Sequence, residues 1–224
     1  MTARRALLLG ATGLVGGELL VLLLASAEVT AVTAPVRRPL PLAHEKLTAP
    51  VVDFDDPAQL KAVAAADDVF CCLGTTIKQA GTQQAFRRVD FDYPLAAAKA
   101  ALAAGARQFL LVTAAGADAK SGIFYSRVKG ELEEALRALP FPDGVKVLRP
   151  SMILGQRARR RPAEALAMSV LGATAGLFVG PLAKYRAIEA PSVARALLQA
   201  ALHQPAGSRV YEGKPLFELA ALAG

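Results

Sequence analysis

The chain has no tryptophan, two cysteines and two histidines in 224 residues, and each shortage removes a class of explanation. Cys71 and Cys72 are adjacent. Neighbouring cysteines rarely close a disulfide, and two thiols cannot build a structural zinc site unaided. His44 and His203 stand far apart in no ligand spacing, so no metal is expected. Free thiols at the end of a buried strand suit a reducing compartment, which makes a cytoplasmic location the expectation. Aromatic residues form 6% of the chain, and no basic run is interleaved with them as a base-stacking platform requires. Nucleic acid is therefore not an expected partner. Arg4 and Arg5 precede an apolar stretch, but Gly10, Gly13, Gly16 and Gly17 interrupt it, against a secretory leader. The apolar run 19–25 is too short to span a bilayer. What is abundant is apolar residues, 54%, with a formal charge of +7. That composition is globular and suits an anionic ligand without naming one.

Short apolar runs alternate with helical patterns along the chain. Strands are expected at 6–9, 29–33, 51–53, 68–72, 109–113 and 145–149, with a last short one at 209–212. Helices are expected at 14–25, 57–65, 82–104, 122–139, 192–203 and 216–223. Continuous apolar strands alternating with helices predict a mostly parallel, doubly wound Rossmann sheet covered on both faces. Residues 1–224 read as one dinucleotide-binding domain, with the irregular part from about 151 to 224 completing the substrate pocket.

The strongest local signal is Gly10-Ala11-Thr12-Gly13-Leu14-Val15-Gly16, placed between the first strand and the first helix. There Gly10 allows a tight turn, Gly13 lets the backbone approach a pyrophosphate, and Gly16 permits close helix packing. The helix N-terminus, with Thr12, Leu14 and Val15 around it, offers amide N–H groups and a positive dipole end to phosphates. After the second strand an acid would bind a ribose 2′-hydroxyl and an arginine would accommodate a 2′-phosphate. This chain has Arg37 and Arg38, with no acid until Glu45, so NADPH is favoured over NADH. Asp53 and Phe54 could flank the adenine, with the alternative that Asp53 caps a turn or helix. Tyr125 and Lys129 are four residues apart, on one face of a helix. An ammonium beside a phenol favours phenolate, which makes Tyr125 a usable acid or base. Thr113 ends the fifth strand and could donate a hydrogen bond to a substrate carbonyl, although threonine at a strand end also reflects β-propensity.

Together these features resemble the short-chain dehydrogenase/reductase superfamily. The strings Cys71-Cys72-Leu73-Gly74-Thr75-Thr76, Arg88-Val89-Asp90-x-Asp92-Tyr93, Gly116-Ala117-Asp118 and Tyr125-x-x-x-Lys129-Gly130-Glu131-x-Glu133 resemble its atypical Tat-interactive-protein-like group. Arg149-Pro150 and Arg157-x-x-x-Arg161-Pro162-x-Glu164 continue the likeness. The resemblance implies an NADPH-binding Rossmann fold, Tyr125 and Lys129 as the catalytic pair, and Lys129 bonded to the nicotinamide ribose. It also implies that Leu73, Gly74, Thr75, Pro150 and Ser151 line the cofactor. Where the family commonly has serine this chain has Thr113, and Asp90 stands where many superfamily members carry asparagine.

The expected activity is NADPH-dependent reduction of a carbonyl, with Tyr125 as proton donor, Lys129 as its electrostatic partner and Thr113 orienting the oxygen. The rival reading is a regulatory protein that senses NADPH without significant turnover. A small-molecule carbonyl compound is the expected partner, and the protein is expected as monomer or homodimer. The uncharged stretch 165–183 is expected to be a buried pocket wall and not a membrane insertion. Arg157 to Arg161 are expected in a solvated loop.

Overall fold

A computed structural model describes residues 3–155 and 186–222. Strand β1 (Arg4–Leu9) leads through the glycine-rich turn into helix α1 (Leu14–Ala25), followed by β2 (Val29–Thr33), β3 (Leu47–Thr48) and α2 (Pro57–Ala62). Next come β4 (Asp68–Cys71), two short helices α3 (Ile77–Ala80) and α4 (Gln83–Arg87), a π-helical turn Arg88–Asp92, and α5 (Tyr93–Ala103). Then β5 (Gln108–Val112), α6 (Phe124–Arg137), β6 (Val145–Arg149), β7 (Ile153–Leu154), β8 (Ile188–Glu189), α7 (Ala190–His203), β9 (Arg209–Glu212) and α8 (Lys214–Ala221) complete the described elements.

Seven strands form one parallel sheet in the order β3-β2-β1-β4-β5-β6-β9, while β7 and β8 pair separately. The order steps outward from β1 in both directions, so the ends of β1 and β4 flank the crevice where doubly wound sheets take ligands. The four central strands β1, β4, β5 and β6 each feed both cores, on either side of the sheet, which is why they read as nearly continuous apolar runs. Ala6, Leu8, Phe70 and Leu110 pack under α1, α7 and α8 with Leu19, Leu23, Val193, Leu197 and Leu216. Leu7, Leu9, Val69, Phe109 and Leu111 pack under α2, α5 and α6 with Leu60, Ala98, Leu132 and Leu136.

At the opposite, N-terminal edge of the sheet a buried polar knot ties the strands to the end of α7. Lys146 Nζ donates to Gln108 Oε1 and to the Ala200 carbonyl, both at 2.8 Å. Gln108 Nε2 donates to Asp68 Oδ1 at 2.7 Å and to the Ala201 carbonyl at 2.9 Å. Arg4 reaches the same Asp68 oxygen at 2.7 Å and the Ala201 carbonyl at 3.2 Å. These donors satisfy carbonyls that the last turn of a helix leaves open. Burial pushes the Asp68 carboxyl up, against the pull of Gln108 and Arg4, and pushes the Lys146 ammonium down.

Two elements differ from the sequence reading. The third strand is Leu47–Thr48 rather than 51–53, with Val51 making only a single parallel bridge to Val36. Pro50 lies between them and has no N–H for a continuous ladder. The helix expected over 82–104 is interrupted by the π-helical turn. Pro94 has no N–H to return to the Asp90 carbonyl, so the i→i−4 ladder cannot run through this turn. The expectations for 157–161 and 165–183 lie outside the described residues. Among those residues, no helix is long and apolar enough to cross a membrane.

Candidate functional site

The turn after β1 is closed by the Gly13 N–H donating to the Gly10 carbonyl at 2.9 Å. Gly10 has φ +86°, and a Cβ on it would sit 2.8 Å from the Cys72 backbone. A Cβ on Gly16 would lie 2.1 Å from the Gly10 carbonyl oxygen. The two glycines therefore let α1 begin directly against the ends of β1 and β4. Gly13 caps α1 without any side-chain hydrogen bond to its first turn, which leaves that end to a ligand.

Two adjoining cavities open here. The larger, about 650 Å³, is lined by Thr12, Gly13, Leu14 and Val15 from the turn and α1, and by Asp90, Thr113, Tyr125 and Lys129 from across the sheet. The smaller, about 550 Å³, is lined by Gly10, Arg37, Phe54 and Tyr93 among others. Leu73, Gly74 and Thr75, the segment after β4, line both. Phe54 and Tyr93 line the smaller cavity with ring centroids 5.5 Å apart and planes tilted by 43°, an aromatic pair against which a heterocycle can pack.

Tyr125 and Lys129 line the larger cavity from the first turns of α6, as their spacing predicts. The fully buried Phe86 backs the Tyr125 ring at 5.6 Å between centroids. Lys129 is buried and its Nζ lies 2.7 Å from Asp90 Oδ1. The other Asp90 oxygen accepts the Thr75 N–H at 2.9 Å. The π-helical turn carries Asp90 inward, and π turns of this kind often mark functional positions. Burial works against the Lys129 charge, but Asp90 and the nearby Tyr125 outweigh it and leave the ammonium above the ordinary lysine range. Burial pushes the Asp90 carboxyl up, with Lys129 and the Thr75 amide pulling it back.

Thr113 lines the same cavity, but its hydroxyl donates to Glu133 Oε1 at 2.8 Å. Glu133 is wholly buried on α6 and also accepts from Arg149 Nη2 at 2.7 Å, Arg149 Nε at 2.9 Å and Arg137 Nη2 at 2.7 Å. A carboxylate so surrounded can only accept. The proton that the sequence reading assigned to a substrate oxygen is thus committed to Glu133.

Both arginines are exposed; Arg37 lines the smaller cavity and Arg38 lines neither. Asp53 is exposed, and its Oδ1 accepts the Asp55 N–H at 2.9 Å, so it caps a turn as the alternative reading had it. Pro150 and Ser151 line neither cavity. The Pro150 carbonyl accepts the Ala115 N–H at 2.9 Å, and Ser151 donates to the Arg186 carbonyl at 2.6 Å. Ile153, two residues on, lines the larger cavity instead. Sequence reasoning assigned no role to Glu133, Gln79 or Tyr93. The Glu131-x-Glu133 and Arg149-Pro150 strings were the only signal for the first. Burial pushes the Cys71 thiol up to about 12, which keeps it an inert core residue beside the site.

A family model described as NAD(P)H-binding matches residues 10–140. The Fmp52 protein of Emericella nidulans, named mitochondrial, is 39% identical over 174 residues, 74% of this chain and 74% of that protein. Protein HTATIP2 of Rattus norvegicus is 38% identical over 176 residues, 77% of this chain and 72% of its own. The Bordetella bronchiseptica enzyme WbmH, solved in complex with NAD+, superposes with a TM-score of 0.70 at 14% identity, over 93% of this chain and 75% of that one. At that identity the likeness is one of fold. Further relatives from Aspergillus and Coccidioides are also named mitochondrial Fmp52, and these names overturn the expectation of a cytoplasmic location. With a family model over more than half its length and relatives of this similarity, the chain belongs to the NAD(P)H-binding, oxidoreductase-like family, in the atypical short-chain dehydrogenase/reductase group of HTATIP2 and Fmp52.

Proposed function

We propose that the protein is an NADPH-dependent reductase of a small carbonyl compound. The observation that carries this reading is that Tyr125 and Lys129 line one cavity with the uncapped start of α1 and the segment 73–75. The cradle fits a dinucleotide: Gly10 and Gly16 let α1 start directly against the ends of β1 and β4, and its first turn, with no side chain bonded to it, offers its amides to a pyrophosphate. Arg37 would take the 2′-phosphate, Phe54 and Tyr93 would flank the adenine, and Lys129 would hold the nicotinamide ribose with the N–H groups that Asp90 leaves free. When bound, the reduced nicotinamide supplies a hydride to the carbonyl carbon. Tyr125 delivers the proton to the oxygen. Because Thr113 gives its proton to Glu133, Tyr125 carries the donor role without the help of the Thr113 hydroxyl. That same commitment favours the rival reading, an NADPH-sensing regulator without significant turnover.

Calorimetric titration separates the parts. NADPH should bind more tightly than NADH, and Arg37→Ala should remove about 1.5–3 kcal/mol of that preference. Equal affinities, unmoved by the substitution, would refute the 2′-phosphate assignment. Tyr125→Phe should keep NADPH affinity and abolish carbonyl-dependent NADPH oxidation; a wild-type protein inert on a broad carbonyl panel would select the sensor.

A further inference from the structure

The two cavities carry charge of opposite sign. Among the described residues, the charged side chains lining the larger one are Lys129, Asp90 and Glu18, two acids against one base. The charged side chain lining the smaller one is Arg37. A cleft for a dinucleotide needs positive charge only at its phosphate end. At the other end a lone buried lysine would face the nicotinamide ring, which is a cation when oxidised and neutral when reduced. Such a lysine would repel the oxidised form alone. Here Asp90 sits 2.7 Å from Lys129 Nζ, both side chains almost fully buried, where little solvent screens either charge.

Nothing in the backbone demands an acid at this position. Asp90 also accepts the Thr75 N–H, but a neutral amide oxygen would accept that bond equally well. The carboxylate's charge is what an asparagine would lack. The other titratable groups facing the pair are the phenol of Tyr125 on α6, the buried thiol of Cys71 at the end of β4, Cys72 beside it, and the exposed Glu18 on α1. Neither thiol supplies charge, since burial pushes both up.

We propose that Asp90 determines how the cleft discriminates between cofactor oxidation states: by cancelling the Lys129 charge, it lets the site hold the oxidised dinucleotide comparably to the reduced one. Asp90 is thus a specificity-determining residue for the cofactor's redox form. The proposal rests on the reading that the Tyr125–Lys129 end receives the nicotinamide. It matters for a reductase, which must release an oxidised product, and equally for a sensor, whose output depends on which form it holds.

The test is the ratio of dissociation constants for NADP+ and NADPH, measured by calorimetry without any substrate. A unit charge altered within about 8 Å of the ring, at an effective dielectric constant of about 20 to 30, corresponds to a ten- to thirtyfold change. Asp90→Asn should raise the ratio by on the order of tenfold. Lys129→Met should lower it by a similar factor, although both forms bind more weakly for want of the ribose contact. The double variant, with neither charge, should return to within about threefold of wild type. A merely structural Asp90 would weaken both forms alike and leave the ratio unmoved. If Asp90→Asn does not fold, Lys129→Met and the double variant still read the effect. A ratio constant across the folded variants overturns the proposal alone; failure of the wild type to bind either form overturns it together with the functional reading.

Discussion

Replacing Glu133 with alanine withdraws the one acceptor on which Thr113, Arg149 and Arg137 converge. Its carboxylate is wholly buried, Arg149 is one-fifth exposed, and Arg137 is over one-third exposed. Arg137 can rehydrate on leaving, and an exposed i,i+4 pair is worth only about 0.3–0.5 kcal/mol. Arg149 cannot do so freely. It keeps Glu212 at 3.3 Å but loses two charge-assisted bonds, in a setting where breaking a buried pair costs about 3–5 kcal/mol. The retained partner and partial exposure place this loss at the lower end, and the freed Thr113 hydroxyl adds about 1 kcal/mol. The expected sum is about 4 kcal/mol, against a typical domain stability of about 5–15 kcal/mol. Urea unfolding followed by circular dichroism should show it as a lowered midpoint at unchanged slope. Arg137→Ala, measured alongside, should lose under about 1 kcal/mol. A Glu133→Ala loss no larger than that of Arg137→Ala would refute the assignment of Glu133 as the hub.

Two further outcomes follow from the same contacts. Gly16→Ala places a Cβ 2.1 Å from the Gly10 carbonyl, so α1 must shift; a loss of about 2–3 kcal/mol and at least tenfold weaker NADPH binding are expected, and wild-type binding in this variant would show the contact to be slack. The Cys71 thiol is pushed up to about 12 from 9.0 by burial. A raised folded-state value contributes stability that is present below the unfolded value and lost as pH rises towards the folded one. Between about pH 9 and 11, Cys71→Ala should therefore lose stability less steeply than wild type, by up to about 1.4 kcal/mol per pH unit; parallel curves would contradict it.

The parts of the fold legible in the sequence are those fixed locally. Unbroken apolar strands, the placement of Gly10 to Gly16 and the helical spacing of Tyr125 and Lys129 each follow from short-range rules. Thr113 was placed at the right strand end, but its partner is twenty residues away on another element, and no local pattern states which way a hydroxyl points. The break at Arg88–Asp92 was hidden because helical periodicity runs on either side of it, while Pro94 acts on the turn before itself. Arg37 and Arg38 are equivalent in sequence and both exposed; only the path of the chain after β2 sets Arg37 on the cavity rim and Arg38 away from it.

The knot at the N-terminal edge has a consequence for how the chain can be divided. Lys146, Gln108 and Arg4 come from three strands, yet each takes at least one acceptor from the Ala200 or Ala201 carbonyl at the end of α7. A fragment ending near residue 155 would hold every residue of the glycine-rich turn together with Tyr125 and Lys129. It would also lack the helix-end carbonyls that hold Lys146, Gln108 and Arg4, and it would bare the Leu8 and Leu110 face that α7 covers. Such a fragment is expected to resist isolation as a folded unit. On the ribosome, the nucleotide-binding half is expected to settle only after the chain has emerged past residue 201, roughly fifty residues beyond Arg149-Pro150.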